Sequence, residues 1–443
     1  MSRKRHVIVG GGTAGINAIT TIREYDRGDA EIVLVAAERP YARMTLPYYL
    51  ERSISESHLF TATPPRLAQL GVHAYLGRRA TRLDPQVNTL TLDDGTTITY
   101  DNLLIATGSS PVKVPVPGAE SPGVHSFWTL EQAHQVMAGS KEGAHVTMVG
   151  AGFIAFTILD ALLSLGVKLT VVEIAPQILP RMIDPEGAQV VEEWLKKHGV
   201  EIRTGVHLSA IEEEDEKKRL RFQDSEDIVT DLVIMATGIR PNLEWLEGSG
   251  IQVNHGIVVD HYLRSNIPNV YAAGDVAEGP DLISGGRAVH AIEPTAMEHG
   301  RVAGANMAGQ QVAYRGSLLM NIVGVQNLEI ASFGAWNTPD AETFSTLKAE
   351  RPAYRKLVWD GDRLIGAILL GRANDIWTTN DIGMVKGLVQ SGVRLGRWKE
   401  YLRHNPFDLK SAFVASRTTA QLLSRTLLGR PSIPAHRVRA VRS

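Results

Sequence analysis

The sequence contains no cysteine among its 443 residues. That absence excludes disulfides, thiolate metal sites, iron-sulfur ligation by this chain and any redox-active thiol pair, and it removes the usual clue to compartment. An excess of one charge is missing too. Lysine and arginine number 46 against 48 aspartate and glutamate, so no global field steers the chain toward nucleic acid. No apolar run reaches the ~20 residues of a membrane span, and the basic start Arg3-Lys4-Arg5 passes directly into a strand with no apolar signal core. A soluble, cytoplasmic protein is the expectation. Hydrophobic residues reach 44%, which at this length supplies about two to three cores.

Against these absences, glycine is placed with purpose. Val7, Ile8 and Val9 read as a buried parallel strand running into Gly10-x-Gly12-x-x-Gly15. Gly10 permits the tight turn, Gly12 lets backbone approach a pyrophosphate, and Gly15 lets the next helix pack close to the sheet. Thr13 and Ala14 lie in the first turn of that helix, where free N–H groups and the helix dipole favour an anion. Glu38 ends the following apolar strand, residues 32–35, at the spacing where a carboxylate reaches ribose hydroxyls.

The pattern then recurs. Residues 145–149 lead into Gly150-Ala-Gly152-Phe153-Ile154-Ala155, with Ala155 in the third glycine's place, and the strand 169–172 ends in Glu173. Residues 231–238, ending in Gly238, repeat residues 101–108, which end in Thr107-Gly108; each is followed by a proline, Pro241 and Pro111. One chain therefore carries two dinucleotide-binding units. Between them, residues 88–99 read as a hairpin turning at Asp94-Gly95, and Pro111, Pro115, Pro117 and Gly118 read as a linker. The charged run 212–221 reads as a solvated hairpin.

Beyond about residue 318 the style changes. Residues 319–334 and 355–370, the latter turning at Asp360-Gly361, predict an antiparallel sheet, and 379–392 predict an amphipathic helix stopped by Gly392. This is a third, α+β domain. The last 20 residues carry five arginines and no acid, which reads as a solvated end, with attraction to an acidic partner or an anionic membrane surface as the alternative. His290 and His299 flank Glu293 and Glu298 without metal-ligand spacing, so no metal site is expected.

In these motifs and their order the chain resembles the FAD-dependent pyridine nucleotide-disulfide oxidoreductase superfamily. Among its groups, the cysteine-poor ferredoxin, rubredoxin and nitrite reductase flavoprotein modules and NADH oxidases look closest. The resemblance implies an α/β fold with a discontinuous FAD domain (1–115 and 246–316), an inserted NAD(P)H domain (116–245), a C-terminal α+β interface domain (317–423) and a basic tail (424–443). It implies that Asp275, after Gly274, bonds the flavin ribityl chain at the start of a helix. Thr295 and Ala296 are then near the flavin ring, with Arg43 and Ala80 also on FAD. NADH is expected over NADPH, because a carboxylate at Glu173 accepts from both ribose hydroxyls and repels a 2′-phosphate. Met44 stands where disulfide-reducing members keep a cysteine. Tyr48 and Thr157 stand where other members keep a lysine and a glutamate, so both charges of that pair are missing and the flavin edge is expected to be neutral, lined by Tyr48 and Thr157.

The function these readings imply is hydride transfer from NADH to FAD, with electrons leaving for an acceptor the sequence does not choose. A ferredoxin- or rubredoxin-like iron-sulfur protein or a partner redox subunit is one class. A dioxygen- or quinone-using oxidase is another, and a non-catalytic flavoprotein subunit or redox sensor is a third. A homodimer is expected.

Overall fold

A computed structural model describes residues 3–348 and 350–422, with the side chains of Ile376 and Trp377 excepted. The basic tail therefore lies outside the described residues.

Two apolar strand-turn-helix segments each nucleate a five-stranded, fully parallel sheet. The first runs in the order Val270–Ala272, Asn102–Ile105, Arg5–Val9, Glu31–Ala36, Val72–Leu76. The second runs Glu201–Thr204, Lys168–Glu173, His145–Val149, Leu232–Met235, Val124–Ser126. Strands covered on both faces need continuous apolar side chains, and Val7, Ile8, Val146 and Met148 are all fully buried. The duplication extends to single hydrogen bonds. Gly10 N donates to Val35 O, and Gly150 N donates to Val172 O, each at 2.8 Å.

The stretch read as a linker begins as a strand. Ser109–Pro111 pairs antiparallel with Ile239–Pro241, tying the outward and return connections of the two units into one ribbon. Asn242 locks it, donating from Nδ2 to Thr107 O at 2.8 Å and accepting from Ser110 Oγ at 2.7 Å. Prolines suit such an edge, where no ladder N–H is needed.

Helix Glu293–Met307 closes the first unit by crossing helix Thr13–Asp26 through glycine. A Cβ on Gly300 would lie 2.2 Å from Ala14 O, and one on Gly304 2.6 Å from Ala18 O, so no side chain fits at either crossing point. Near its start, His290 Nε2 meets Asp281 Oδ2 at 2.8 Å, while Ser284 donates to Asp281 Oδ1 through both N and Oγ. Burial alone would push this carboxyl up, but the bonds from His290 and Ser284 outweigh it and hold it at about 2. A lowered folded value stabilises above the unfolded one and is lost as pH falls through it. An Asp281→Asn protein should be about 2 kcal/mol less stable than the parent at pH near 6, with the gap closing as pH falls toward 2. Urea unfolding at several pH values measures this, and a pH-independent gap would contradict it.

The C-terminal sheet is antiparallel, in the order Met320–Val325, Leu328–Gly334, Arg363–Arg372, Ala353–Asp360, Glu342–Lys348. One face packs Phe333, Leu357 and Leu369 on Val385, Leu388 and Val389 of helix Ile376–Ser391. The other face presents Val325, Ile330, Tyr354 and Leu370 to Phe156, Leu159 and Val191 of the second parallel unit. Tyr354 Oη donates to Asp184 at 2.8 Å, Lys356 pairs with Asp184 at 3.0 Å, and Trp194 Nε1 donates to Gln326 O at 3.0 Å. This third domain is thus fastened to the second unit through a shared core. Strand Glu342–Lys348 and the short helices Arg397–His404, Leu409–Ala415 and Thr418–Leu422 add to what the sequence led us to expect.

Candidate functional site

The site is built where both glycine turns stop short of capping themselves. Helix 130–139 opens with a Thr129/Gln132 capping box, and helix Pro185–Lys197 is capped by Asp184. Helices Thr13–Asp26 and Phe153–Ser164 instead begin at Gly12 and Gly152, with no side-chain cap and no acid in the first turn. Orphan N–H groups and the positive dipole end remain at both. Gly10 (φ +119°) and Gly150 (φ +101°) make the turn, and a Cβ at either would lie 2.0 Å from Ala106 O or 2.4 Å from Ala236 O. A Cβ on Gly12 or Gly152 would meet nothing within 4 Å. The chain leaves open the two points where a pyrophosphate would arrive.

A cavity of about 620 Å³ lies against the first turn. Gly10, Gly12, Thr13, Ala14, Glu38, Arg43, Ala80, Thr107, Gly108, Gly274, Asp275 and Ala296 all line it. Gly15 sits beneath, where a Cβ would fall 2.0 Å from Gly10 O, and Thr295 is buried in the helix. Glu38 is held by Tyr41 Oη at 3.2 Å and Arg43 at 3.3 Å, and Arg43 also donates to Trp128 O while stacking on the Trp128 ring at 5.0 Å. Asp275 lies in a single turn of 3-10 helix, Gly274–Val276, and not at the start of an α-helix. Burial pushes its carboxyl up, against the bond from Ser109 Oγ (2.7 Å) and the positive field of Arg43. The indole N–H of Trp245, another wall residue, is buried with no partner among the described residues.

The two residues expected at the flavin edge do not line this cavity. Tyr48 and Thr157 are absent from the wall, and Met44, Phe153, Met320 and Ile322 line it. Helix Leu46–Leu50 buries Leu46 and Leu50, four residues apart on one face, which turns Tyr48 outward to 56% exposure. Thr157 donates its hydroxyl to Ile154 O at 2.7 Å, and Phe153, one turn earlier on the same face, reaches the cavity instead. Ser109, Trp128, Asn242 and Trp245 were not foreseen. Only Ser109 carried a signal, as the residue following Thr107-Gly108.

A second cavity, of about 990 Å³, lies beside the first, and Ser109, Glu244, Asp275 and Ala291 line both. Its other walls are the ribbon residues Ile239, Arg240 and Pro241 and, from the second unit, Arg181. In that unit Glu173 is buried, and its two oxygens accept from Ala151 N (2.6 Å) and Ala175 N (2.9 Å). Gly150, Gly152, Ile154, Ala155, Glu173 and Gly238 lie outside both cavity walls, although Ile239 follows Gly238 directly. Among the described residues no group of three histidines or acids gathers as a metal site, and no helix is long and apolar enough to cross a membrane.

Residues 4–292 match the family model described as pyridine nucleotide-disulphide oxidoreductase. The chain belongs to that family. Residues 320–381 match the rubredoxin NAD+ reductase C-terminal domain. A nitrite reductase [NAD(P)H] of Bacillus subtilis is 30% identical over 379 residues, covering 85% of this chain and 46% of that protein. An NADH oxidase of Methanocaldococcus jannaschii is 31% identical over 351 residues, 74% of this chain and 76% of its own. Among solved structures, a NAD-dependent persulfide reductase from A. fulgidus superposes with a TM-score of 0.81 at 28% identity, over 89% of this chain and 78% of that one. The chain spans about half the length of the first curated relatives it matches. The family takes FAD and NAD(P)H, and the residues present fit FAD: an uncapped helix start, an open Gly12, an acceptor in Glu38 and an orphaned donor in Trp245 line one cavity.

Proposed function

We propose that the protein is an NADH-dependent FAD oxidoreductase that passes electrons to a one-electron protein acceptor, an iron-sulfur protein or a partner redox subunit, without a cysteine relay. The observation that carries this reading is an uncapped glycine turn opening on a cavity that shares walls with a second one, repeated as a second uncapped turn at Gly150 and Gly152, in a chain with no cysteine. Bound FAD supplies an acceptor for a hydride and can release its two electrons one at a time.

The chain's own residues bind and orient. The amides after Gly10 and Gly150 hold the two pyrophosphates, and Glu38 and Glu173 accept from the ribose hydroxyls. Asp275 accepts from the ribityl chain, with Thr295 behind it and Arg43 fixing Glu38 to the Trp128 backbone. The ribbon 239–241 and Arg181 guide the nicotinamide half toward the shared walls. Phe153, Met44, Met320 and Ile322 keep the reacting edge apolar, and no acid or base is needed for hydride transfer. The proposal includes a homodimer working in the cytoplasm, where NADH is held.

Mixing the yellow protein with NADH in the absence of oxygen tests the reading. Bleaching within milliseconds, followed by slow reoxidation in air and fast reoxidation by a one-electron protein acceptor, is expected. Reoxidation by air as fast as by any carrier would make it an oxidase, and an unbleached flavin would make it a non-catalytic flavoprotein.

A further inference from the structure

Met44 is the only exposed methionine among the described residues. It is 43% exposed, whereas Met148, Met182, Met235 and Met307 are buried and Met137, Met297, Met320 and Met384 are half-buried. It sits on the three-residue turn Arg43–Thr45 and lines the cavity assigned to the flavin, in company with Phe153 and Asp275. On the same wall Ile322 is 37% exposed. Without any cysteine, a thioether is the softest nucleophile the chain can offer an oxidant at this place.

We propose that Met44 is an oxidative modification site, converted to methionine sulfoxide by hydrogen peroxide formed in the adjoining cavity, and that this brakes turnover in air. The inference rests on the flavin reading above. NADH, a proton and dioxygen give NAD+ and hydrogen peroxide. A lone pair of Met44 Sδ then attacks one peroxide oxygen, an S–O bond forms, the O–O bond breaks, and the departing oxygen leaves as water after proton transfer. Sulfur is oxidised by two electrons and the peroxide is reduced by two. The product puts a polar, chiral group on an apolar wall, and sulfoxide reductases reverse it.

The holoenzyme, with flavin content measured first, is turned over in air with NADH and catalase, then digested and mapped by mass spectrometry. Met44 should carry at least about fivefold more sulfoxide than Met320 or any other methionine. An anaerobic control should carry none. In Met44→Leu the time-dependent loss of NADH oxidation in air should slow. Sulfoxide spread evenly, concentrated at Met320, or abolished at Met44 by catalase would overturn the proposal, as would a yellow, NADH-reducible protein that makes no peroxide. A Met44→Leu protein that fades at the parent's pace would overturn the brake. A protein that binds no flavin at all would instead overturn the reading of the cavity itself.

Discussion

A Gly12→Val protein is expected to fold like the parent and to carry no flavin. The three glycines of the first turn differ in what a side chain would meet. At Gly10 a Cβ would lie 2.0 Å from Ala106 O with φ at +119°, and at Gly15 it would lie 2.0 Å from Gly10 O, so substitution at either damages the fold. Gly12 has an ordinary backbone (φ −76°) and open space around its missing side chain. A Cβ there meets no atom within 4 Å, and a valine side chain stands where the pyrophosphate would approach the amides. A loss of FAD affinity of about 100-fold or more follows, some 3 kcal/mol. Bound FAD itself stabilises the fold, so the unfolding midpoint of the variant is compared with flavin-stripped parent. A Gly12→Val protein that remains yellow with full flavin content would contradict the assignment.

The second large effect is expected at Glu173. Its carboxylate is buried and joins the second glycine turn, through Ala151 N, to the chain beyond its strand, through Ala175 N. Each oxygen keeps a second lone-pair direction for a ribose hydroxyl. In Glu173→Ala two amides lose their acceptor, the turn loses its anchor, and the ribose loses both bonds. KM for NADH should rise about 100-fold while FAD content stays at the parent level. Discrimination against NADPH should narrow as well, because the repelling charge is gone. No cation stands nearby in sequence to hold a 2′-phosphate, since Glu173 is followed by Ile174, 64% exposed, Ala175 and Pro176. Steady-state kinetics with both coenzymes measure this, and a parent enzyme using NADPH as efficiently as NADH would contradict it.

Much of the architecture was legible because its determinants are local. A strand, a glycine turn and a helix follow one another within residues 5–26 and again within 145–164, and the same grammar at residues 6–15 and 145–155 declares two units without long-range information. The hairpins at Asp94-Gly95 and Asp360-Gly361 are equally local, with Thr89–Leu92 paired to Thr97–Thr99 and Asp360 opposite Arg363. The ribbon was hidden for the opposite reason. Pro111 and Ile239 meet although 128 residues apart, and nothing near Pro111 announces its partner. The wall of the cavity beside Asp275 was hidden too, because Phe153 comes from the second unit and Met320 and Ile322 from the C-terminal sheet. Tyr48 lies off the cavity wall because of its position on the helix. Its helix is short, and the burial of Leu46 and Leu50 decides which side faces in.

The central claim is that the amino-terminal cavity holds FAD. Flavin released by denaturing the purified protein, quantified by absorbance and identified by mass, tests it most directly. The account predicts about one FAD per chain, directly or after incubation with excess FAD, and a Gly12→Val control with essentially none. A parent chain that stays colourless in the presence of excess FAD would contradict it.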